Sequence, residues 1–259
     1  MKKTIKIDVK EPVIHLSTEI VYGHRVAWAG VDYRQLKISL IRPRTYFDYD
    51  DRSARPLLVF LAGGGFTEMD RNAWIPDLVW YARRGYVVAS IDYSVTARTE
   101  FPMQIEDIKA AIRYLRAHKE EFRIDDSKIV IMGESAGGYL AGLAALSNGT
   151  KEYDIGDWAE YSSDVSAAVC IYPAIGMHAH EHAPRLDTLA RHDSPPIMIL
   201  QGLEDSLVDY RTHGDVLYDA LEKKGARVEY YQVEGANHAD HHFYQDEMKE
   251  IVLAFMNSI

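Results

Sequence analysis

Apolar and polar positions change their period about a quarter of the way along this chain. From residue 57 onward, six short apolar runs fit buried strands, and they cover residues 57–61, 86–91, 128–132, 167–171, 196–200 and 227–233. The stretches between them have helical spacing, as Ile105, Ile108, Ile112 and Leu115 illustrate. Strands that alternate with helices predict βαβ units and a mostly parallel sheet with helices on both faces.

The first third of the chain reads as strands. Residues 19–23 and 36–41 alternate or run apolar, and residues 4–10 alternate polar with apolar side chains, which predicts a further strand. Residues 45–56 are rich in Asp, Arg and Tyr and predict a solvated turn or hairpin.

Helix ends are also visible. Arg83-Arg84-Gly85 and Lys223-Lys224-Gly225 each place cations before a glycine, as expected for the last turn of a helix and its cap. Met248, Ile251, Val252 and Phe255 predict a final helix.

Two segments, 148–164 and 174–194, fit neither period and carry several histidines. We expect both to emerge at the carboxyl edge of the sheet, where open α/β sheets bind ligands. There they would shape the substrate site, although ordinary solvated loops are the alternative interpretation.

Length and charge narrow the class of protein. A chain of 259 residues suits one α/β domain, here predicted to span 1–259. The net charge of −10 argues against nucleic acid or an anionic membrane as the main partner. The N-terminus has no apolar core of a secretory signal and the chain has no membrane-length apolar run, so we expect a cytoplasmic protein. The one cysteine, Cys170, lies in an apolar run and is interpreted as a core residue.

The strongest chemical signal is Gly133-Glu134-Ser135-Ala136-Gly137. Gly-x-Ser-x-Gly is weak by itself, but here an apolar strand precedes it and a small-residue helix follows. That context predicts a strand–elbow–helix turn that exposes Ser135 as a nucleophile.

A nucleophilic serine needs a base, and the base needs an acid that fixes its tautomer. His238 follows the last predicted strand and is our candidate base, with His241 and His242 as nearby competitors. Asp205 follows the strand before it and is our candidate acid, with Glu204 and Asp209 as alternatives.

The oxyanion of an acyl-transfer intermediate needs backbone N–H donors. The run Gly63-Gly64-Gly65 follows an early strand, and we assign the donors to Gly64 or Gly65 and to Ala136, the residue after the nucleophile. No Gly-Lys-Ser/Thr follows the glycines, so they do not fit a phosphate-binding loop. His178, His180 and His182 alternate, which raises the question of a metal site. His238 already has a role in the triad, and we predict no metal and no cofactor.

With these residues, the chain from about Leu57 onward resembles α/β-hydrolase serine esterases. The similar branch holds bacterial carboxylesterases, acetyl esterases and feruloyl or acetyl-xylan esterases, close to the hormone-sensitive-lipase group. Stretches that carry the resemblance include Ser90-Ile91-Asp92-Tyr93, the elbow, Gly202 to Val208, and Gly235-Ala236-Asn237-His238. Two departures stand out: Ala62 replaces the histidine that usually begins the oxyanion motif, and Ser94 replaces an arginine after the Asp-Tyr pair.

The resemblance implies an α/β-hydrolase fold with eight strands and a small cap or none. It implies hydrolysis of short-chain esters, acetyl to butyryl, through an acyl-enzyme. Carbohydrate acetyl or feruloyl esters, arylformamides, peptides, and ligand binding without turnover are the alternatives. A small-molecule ester is the expected partner. A homodimer is a further possibility, although no residue in the sequence indicates an interface.

Overall fold

The computed structural model describes residues 1–26, 33–97, 99–176 and 182–259. Within these ranges eight strands form one sheet. They are β1 (Ile14–Val26), β2 (Tyr33–Pro43), β3 (Arg55–Leu61), β4 (Val87–Ile91), β5 (Ile124–Glu134), β6 (Ala167–Ile171), β7 (Ile197–Gly202) and β8 (Val228–Val233). Their spatial order is β1-β2-β4-β3-β5-β6-β7-β8. β2 pairs antiparallel with β1 and β4, and the remaining neighbours are parallel.

Helices cover both faces of the sheet. They are α1 (Ile75–Arg83), α2 (Met103–Ala117), α3 (Lys119–Phe122), α4 (Ala136–Leu146), α5 (Gly214–Lys223) and α6 (Asp246–Asn257). Buried residues of α2, α4 and α5 share one core cluster, and those of α1 and α6 share another. The predicted mostly parallel eight-stranded α/β sheet is therefore confirmed.

Alternate residues of the central strands pack into the two core clusters on opposite faces of the sheet. In β5, Ile129 and Ile131 belong to the cluster with α2 and α4, whereas Val130 and Met132 belong to the cluster with α1 and α6. Successive side chains of a strand point to opposite faces, so a strand covered on both faces must be apolar throughout. This burial explains why the strands appear in the sequence as continuous apolar runs.

The predicted elements agree with the structure in most places. Each apolar run corresponds to a strand, and the small-residue helix after Ser135 spans Ala136–Leu146. The two basic helix ends close α1 and α5, and Gly85 and Gly225 follow them with φ of +100° and +70°. Cys170 is a buried core residue, as predicted, and burial raises the pKa of its thiol to about 12.

The strand predicted at residues 4–10 is wrong. These residues have no regular structure, and Ile5, Ile7 and Val9 are exposed. A strand needs a partner for its backbone N–H and C=O groups. β1 starts at Ile14 opposite Pro43, the last residue of β2, so the segment before it has no neighbouring strand.

The position predicted for segment 148–164 is also wrong. The segment joins the end of α4 to the start of β6, and the N–H of Ser166 donates to the carbonyl of Ile129 near the start of the parallel part of β5 (2.7 Å). α4 starts at the carboxyl edge and runs back across the sheet, so the segment begins and ends at the opposite edge. Arg113 of α2 holds it through Asp154 (2.7 Å).

Segment 174–194 does begin at the carboxyl edge, directly after β6. Residues 177–181 lie outside the described residues. Beyond them, the Tyr139 hydroxyl donates to the carbonyl of Pro184 (2.8 Å), and Leu186 is buried against Gly142. The described part of the segment therefore packs on α4, and a role in shaping the substrate site stays a prediction.

Candidate active site

Ser135 occupies the turn between β5 and α4. Its backbone has φ +54° and ψ −118°, a conformation that is costly for a residue with a Cβ and marks local strain. Its N–H donates to the carbonyl of Ile171 (2.9 Å), which holds the turn against β6. A Cβ at Gly137 would lie 2.1 Å from the carbonyl oxygen of Leu61, so this side of the elbow requires glycine.

The structure brings Ser135, His238 and Asp205 together at the carboxyl ends of β5, β8 and β7. His238 Nε2 lies 2.9 Å from Ser135 Oγ, and His238 Nδ1 lies 2.8 Å from Asp205 Oδ2. Both distances suit hydrogen bonds. The arrangement can remove a proton from the serine and hold the resulting imidazolium beside a carboxylate.

Asp205 is held as a carboxylate. Its side chain is fully buried, and burial raises its pKa. The hydrogen bonds from His238 and from the N–H groups of Val208 (2.8 Å) and Leu207 (3.0 Å) outweigh that effect, so the pKa lies below its ordinary value. The group therefore stays ionised where a triad needs its charge.

The alternative acids and bases lie elsewhere. Glu204 and Asp209 are exposed, and Asp209 accepts from the N–H of Arg211 (2.9 Å). His241 and His242 are exposed in a short 3-10 turn, where His242 pairs with Asp240.

The glycine run after β3 forms a turn beside the elbow, in which Gly63 is buried and Gly64 and Gly65 are exposed. Gly64 has φ +132° and Gly65 has φ +59°. A Cβ at Gly64 would lie 1.9 Å from the carbonyl oxygen of Glu68, so the turn closes only around glycine. Ala136 starts α4, and the first N–H groups of a helix lack intrahelical partners. Gly64, Gly65 and Ala136 stay the predicted oxyanion donors.

Two buried side chains brace the predicted oxyanion loop (62–65), where Ala62 stands in place of the histidine usual in similar esterases. The Tyr93 hydroxyl donates to the carbonyl of Ala62, and the Glu134 carboxylate accepts the N–H of Gly63. Burial raises the pKa of Glu134, and its hydrogen-bond donors offset only part of that rise. Sequence reasoning missed both roles, although Glu134 lies inside the elbow motif and Tyr93 inside the Asp-Tyr pair.

Tyr172, Tyr244 and Trp74 form an aromatic wall beside His238. The Tyr172 ring meets the His238 ring at 4.8 Å and 61°, and its hydroxyl bonds that of Tyr244. Tyr244 stacks in turn on Trp74 at 4.3 Å. The wall limits how far the imidazole can rotate.

The structure describes only part of the predicted histidine patch. His178 and His180 fall outside the described residues, and His182 is exposed. In the ranges that the structure describes, no group of three or more His, Cys, Asp or Glu side chains could hold a metal ion. No helix in those ranges is long and apolar enough to cross a membrane.

Comparison with protein families adds a decisive observation. The model of the BD-FAE family matches residues 45–191, more than half of the chain. The chain belongs to the BD-FAE family. The BD-FAE match includes the oxyanion loop and Ser135, whereas Asp205 and His238 lie beyond it. The resemblance to α/β-hydrolase serine esterases is thereby confirmed.

The chain is also similar to curated ester hydrolases. A probable carboxylic ester hydrolase of Mycobacterium tuberculosis, LipM, is 28% identical over 189 residues, which are 62% of this chain and 44% of that protein. The chain spans about half or less of the length of the curated relatives it matches.

Solved structures share the fold over nearly the whole chain. A propionate-bound esterase of Thermogutta terrifontis is 25% identical with a TM-score of 0.77, covering 94% of both chains. A truncated carbohydrate esterase from gut microbiota is 22% identical with a TM-score of 0.80, covering 96% of this chain and 99% of its own. At 22% identity, this second likeness supports the fold alone.

Proposed function

We propose that the protein hydrolyses short-chain carboxylic esters, acetyl to butyryl, through an acyl-enzyme. The observation that carries this proposal is the continuous hydrogen-bond chain from Ser135 Oγ through His238 to Asp205. The Thermogutta terrifontis esterase binds propionate, which supports a small acyl group.

In the proposed reaction, Ser135 Oγ attacks the ester carbonyl carbon while His238 Nε2 takes the hydroxyl proton. The N–H groups of Gly64 or Gly65 and of Ala136 stabilise the oxyanion of the tetrahedral intermediate. The carbonyl then re-forms and the alcohol leaves with the proton from His238. Water repeats the steps to release the acid.

Asp205 holds the imidazole in the tautomer that presents a free Nε2 to the serine, and its charge stabilises the imidazolium. The positive end of α4 lies behind Ser135 and favours the negative charge that forms there. These steps use only side chains and backbone groups of this chain, and we propose no cofactor.

The test is turnover of p-nitrophenyl esters of increasing chain length by the wild type and by Ser135→Ala. Losing a triad nucleophile costs on the order of 10⁶ in kcat. Ser147→Ala is the matched control, because Ser147 is buried at the far end of α4 and its hydroxyl donates to the Ala144 carbonyl (3.2 Å), away from the candidate triad.

We expect the fastest turnover on acetate to butyrate, no activity in Ser135→Ala, and wild-type activity in Ser147→Ala. Wild-type protein inactive on every ester, acetylated xylan and feruloyl esters included, would contradict the proposal. Wild-type rates in Ser135→Ala would remove Ser135 from its role. The single domain over 1–259, the cytoplasmic location and the homodimer stay predictions of the sequence.

A further inference from the structure

We infer that Gln201 is a positioning residue for the acid of the triad, an inference that rests on the proposed esterase function. Gln201 is the penultimate residue of β7 and its side chain is completely buried. Its Nε2 lies 3.0 Å from Asp205 Oδ2 and 3.0 Å from the carbonyl oxygen of Val208. Both neighbours are acceptors, so the amide is oriented with its NH₂ toward them.

Gln201 completes the set of donors around Asp205. Oδ1 accepts from the N–H groups of Leu207 and Val208, and Oδ2 accepts from His238 and Gln201. A carboxylate offers about four acceptor sites, and these donors occupy that number. Gln201 is thus the partner of Oδ2 that does not itself move during the reaction.

The orientation of the carboxylate depends on these bonds. The last side-chain torsion of aspartate has broad, roughly two-fold minima, so torsional preference alone does not fix the plane of the group. The backbone fixes Oδ1 on one side. Without Gln201, Oδ2 would be held only by His238, the group whose orientation Asp205 has to define.

A purely structural role fits the glutamine poorly. Its Oε1 is buried and accepts no hydrogen bond from any residue that the structure describes. A buried orphan acceptor costs stability, whereas an apolar side chain of the same shape has no such cost. Replacement of the amide removes that cost but takes a buried donor from Asp205 Oδ2 and from the Val208 carbonyl, so we expect a modest net loss of stability together with the loss of the hold on Asp205.

Gln201→Met separates the two roles, because methionine is unbranched, similar in length, and has no N–H. We expect kcat on p-nitrophenyl acetate to fall about 10- to 100-fold, the range for loss of a hydrogen bond to a charged group. KM should change less than about two-fold, since Gln201 is buried away from the substrate. The urea midpoint should fall modestly, because the Val208 carbonyl and Asp205 Oδ2 each lose a buried donor.

The pH profile of kcat/KM supplies a second readout. With one donor fewer, the Asp205 carboxylate binds a proton and the imidazolium more tightly, so the midpoint of the acidic limb should move to higher pH. Ile199→Val is the control: Ile199 lies two residues earlier on the same face of β7 and is fully buried. It should lose stability while its kcat and pH profile stay at wild-type values.

The outcomes distinguish this inference from the proposed function. An inactive wild type contradicts the function itself. An active wild type with the predicted kcat loss and profile shift in Gln201→Met supports the positioning role. A Gln201→Met variant with wild-type kcat and profile overturns it. A similar kcat loss in Ile199→Val, at a comparable fall in the urea midpoint, assigns Gln201 a structural role and also overturns it.

Discussion

We expect the proposed oxyanion loop to depend on Tyr93, because Ala62 stands where similar esterases usually have a histidine. Tyr93→Phe removes only the hydroxyl that donates to the Ala62 carbonyl and keeps the ring in its place. Tyr93 is fully buried and Ala62 is 2% exposed, so water cannot readily replace the lost donor. The loop is then held from Glu134 at Gly63 but is free to shift at Ala62.

The size of the effect follows from these contacts. A buried acceptor that loses its partner costs about 1–3 kcal/mol of the free energy of unfolding. One misplaced oxyanion donor costs about 10²–10³ in kcat, which sets the upper limit for a loop that has shifted completely. We expect kcat to fall by at least about 10-fold with little change in KM, because the donors act mainly on the transition state.

The assay is p-nitrophenyl acetate turnover combined with urea unfolding. Tyr86→Phe is the control, since the Tyr86 hydroxyl donates to Asn257 (3.1 Å) on the side of the sheet covered by α1 and α6. It should lose less stability, because water can replace the lost donor at the exposed Asn257, and keep its kcat. Equal kcat in the wild type and Tyr93→Phe, or an equal loss of kcat in both variants, would refute the bracing role.

Two further predictions follow from close contacts and burial. Gly137→Ala places a methyl group 2.1 Å from the rigid carbonyl of Leu61, so we expect a loss of about 1–3 kcal/mol in urea unfolding and of most esterase activity. In Gly142→Ala on the same helix the nearest atom is the flexible end of Leu186 (2.8 Å), which can move, so this variant should lose less of both. Burial raises the pKa of Glu134, so the folded state holds that proton more tightly than the unfolded state and the wild type loses stability as pH rises between the two values. Glu134→Gln lacks this loss, so its stability relative to the wild type should rise as pH increases from about 4, the ordinary glutamate pKa, through the raised pKa of the folded state. A constant or falling difference in unfolding free energy would contradict the reasoning.

The sequence alone determined the fold class and the candidates for the triad. Strands buried on both faces must be apolar throughout, so the runs that became β3 to β7 were visible without a structure. Gly-x-Ser-x-Gly was informative because a strand and a small-residue helix flank it, both of which are local properties of the chain. The candidate acid and base followed from their places after the last two strands.

Contacts between distant residues were decided only by the tertiary structure. Residues 4–10 have the pattern of a strand but no neighbour, because β2 ends at Pro43, and no local pattern records where a partner strand stops. Segment 148–164 lies at the opposite edge because α4 carries the chain back across the sheet. The links from Tyr93 to Ala62 and from Glu134 to Gly63 join residues 31 and 71 positions apart. Such hydrogen bonds depend on distances across the fold, which amino-acid periodicity does not encode.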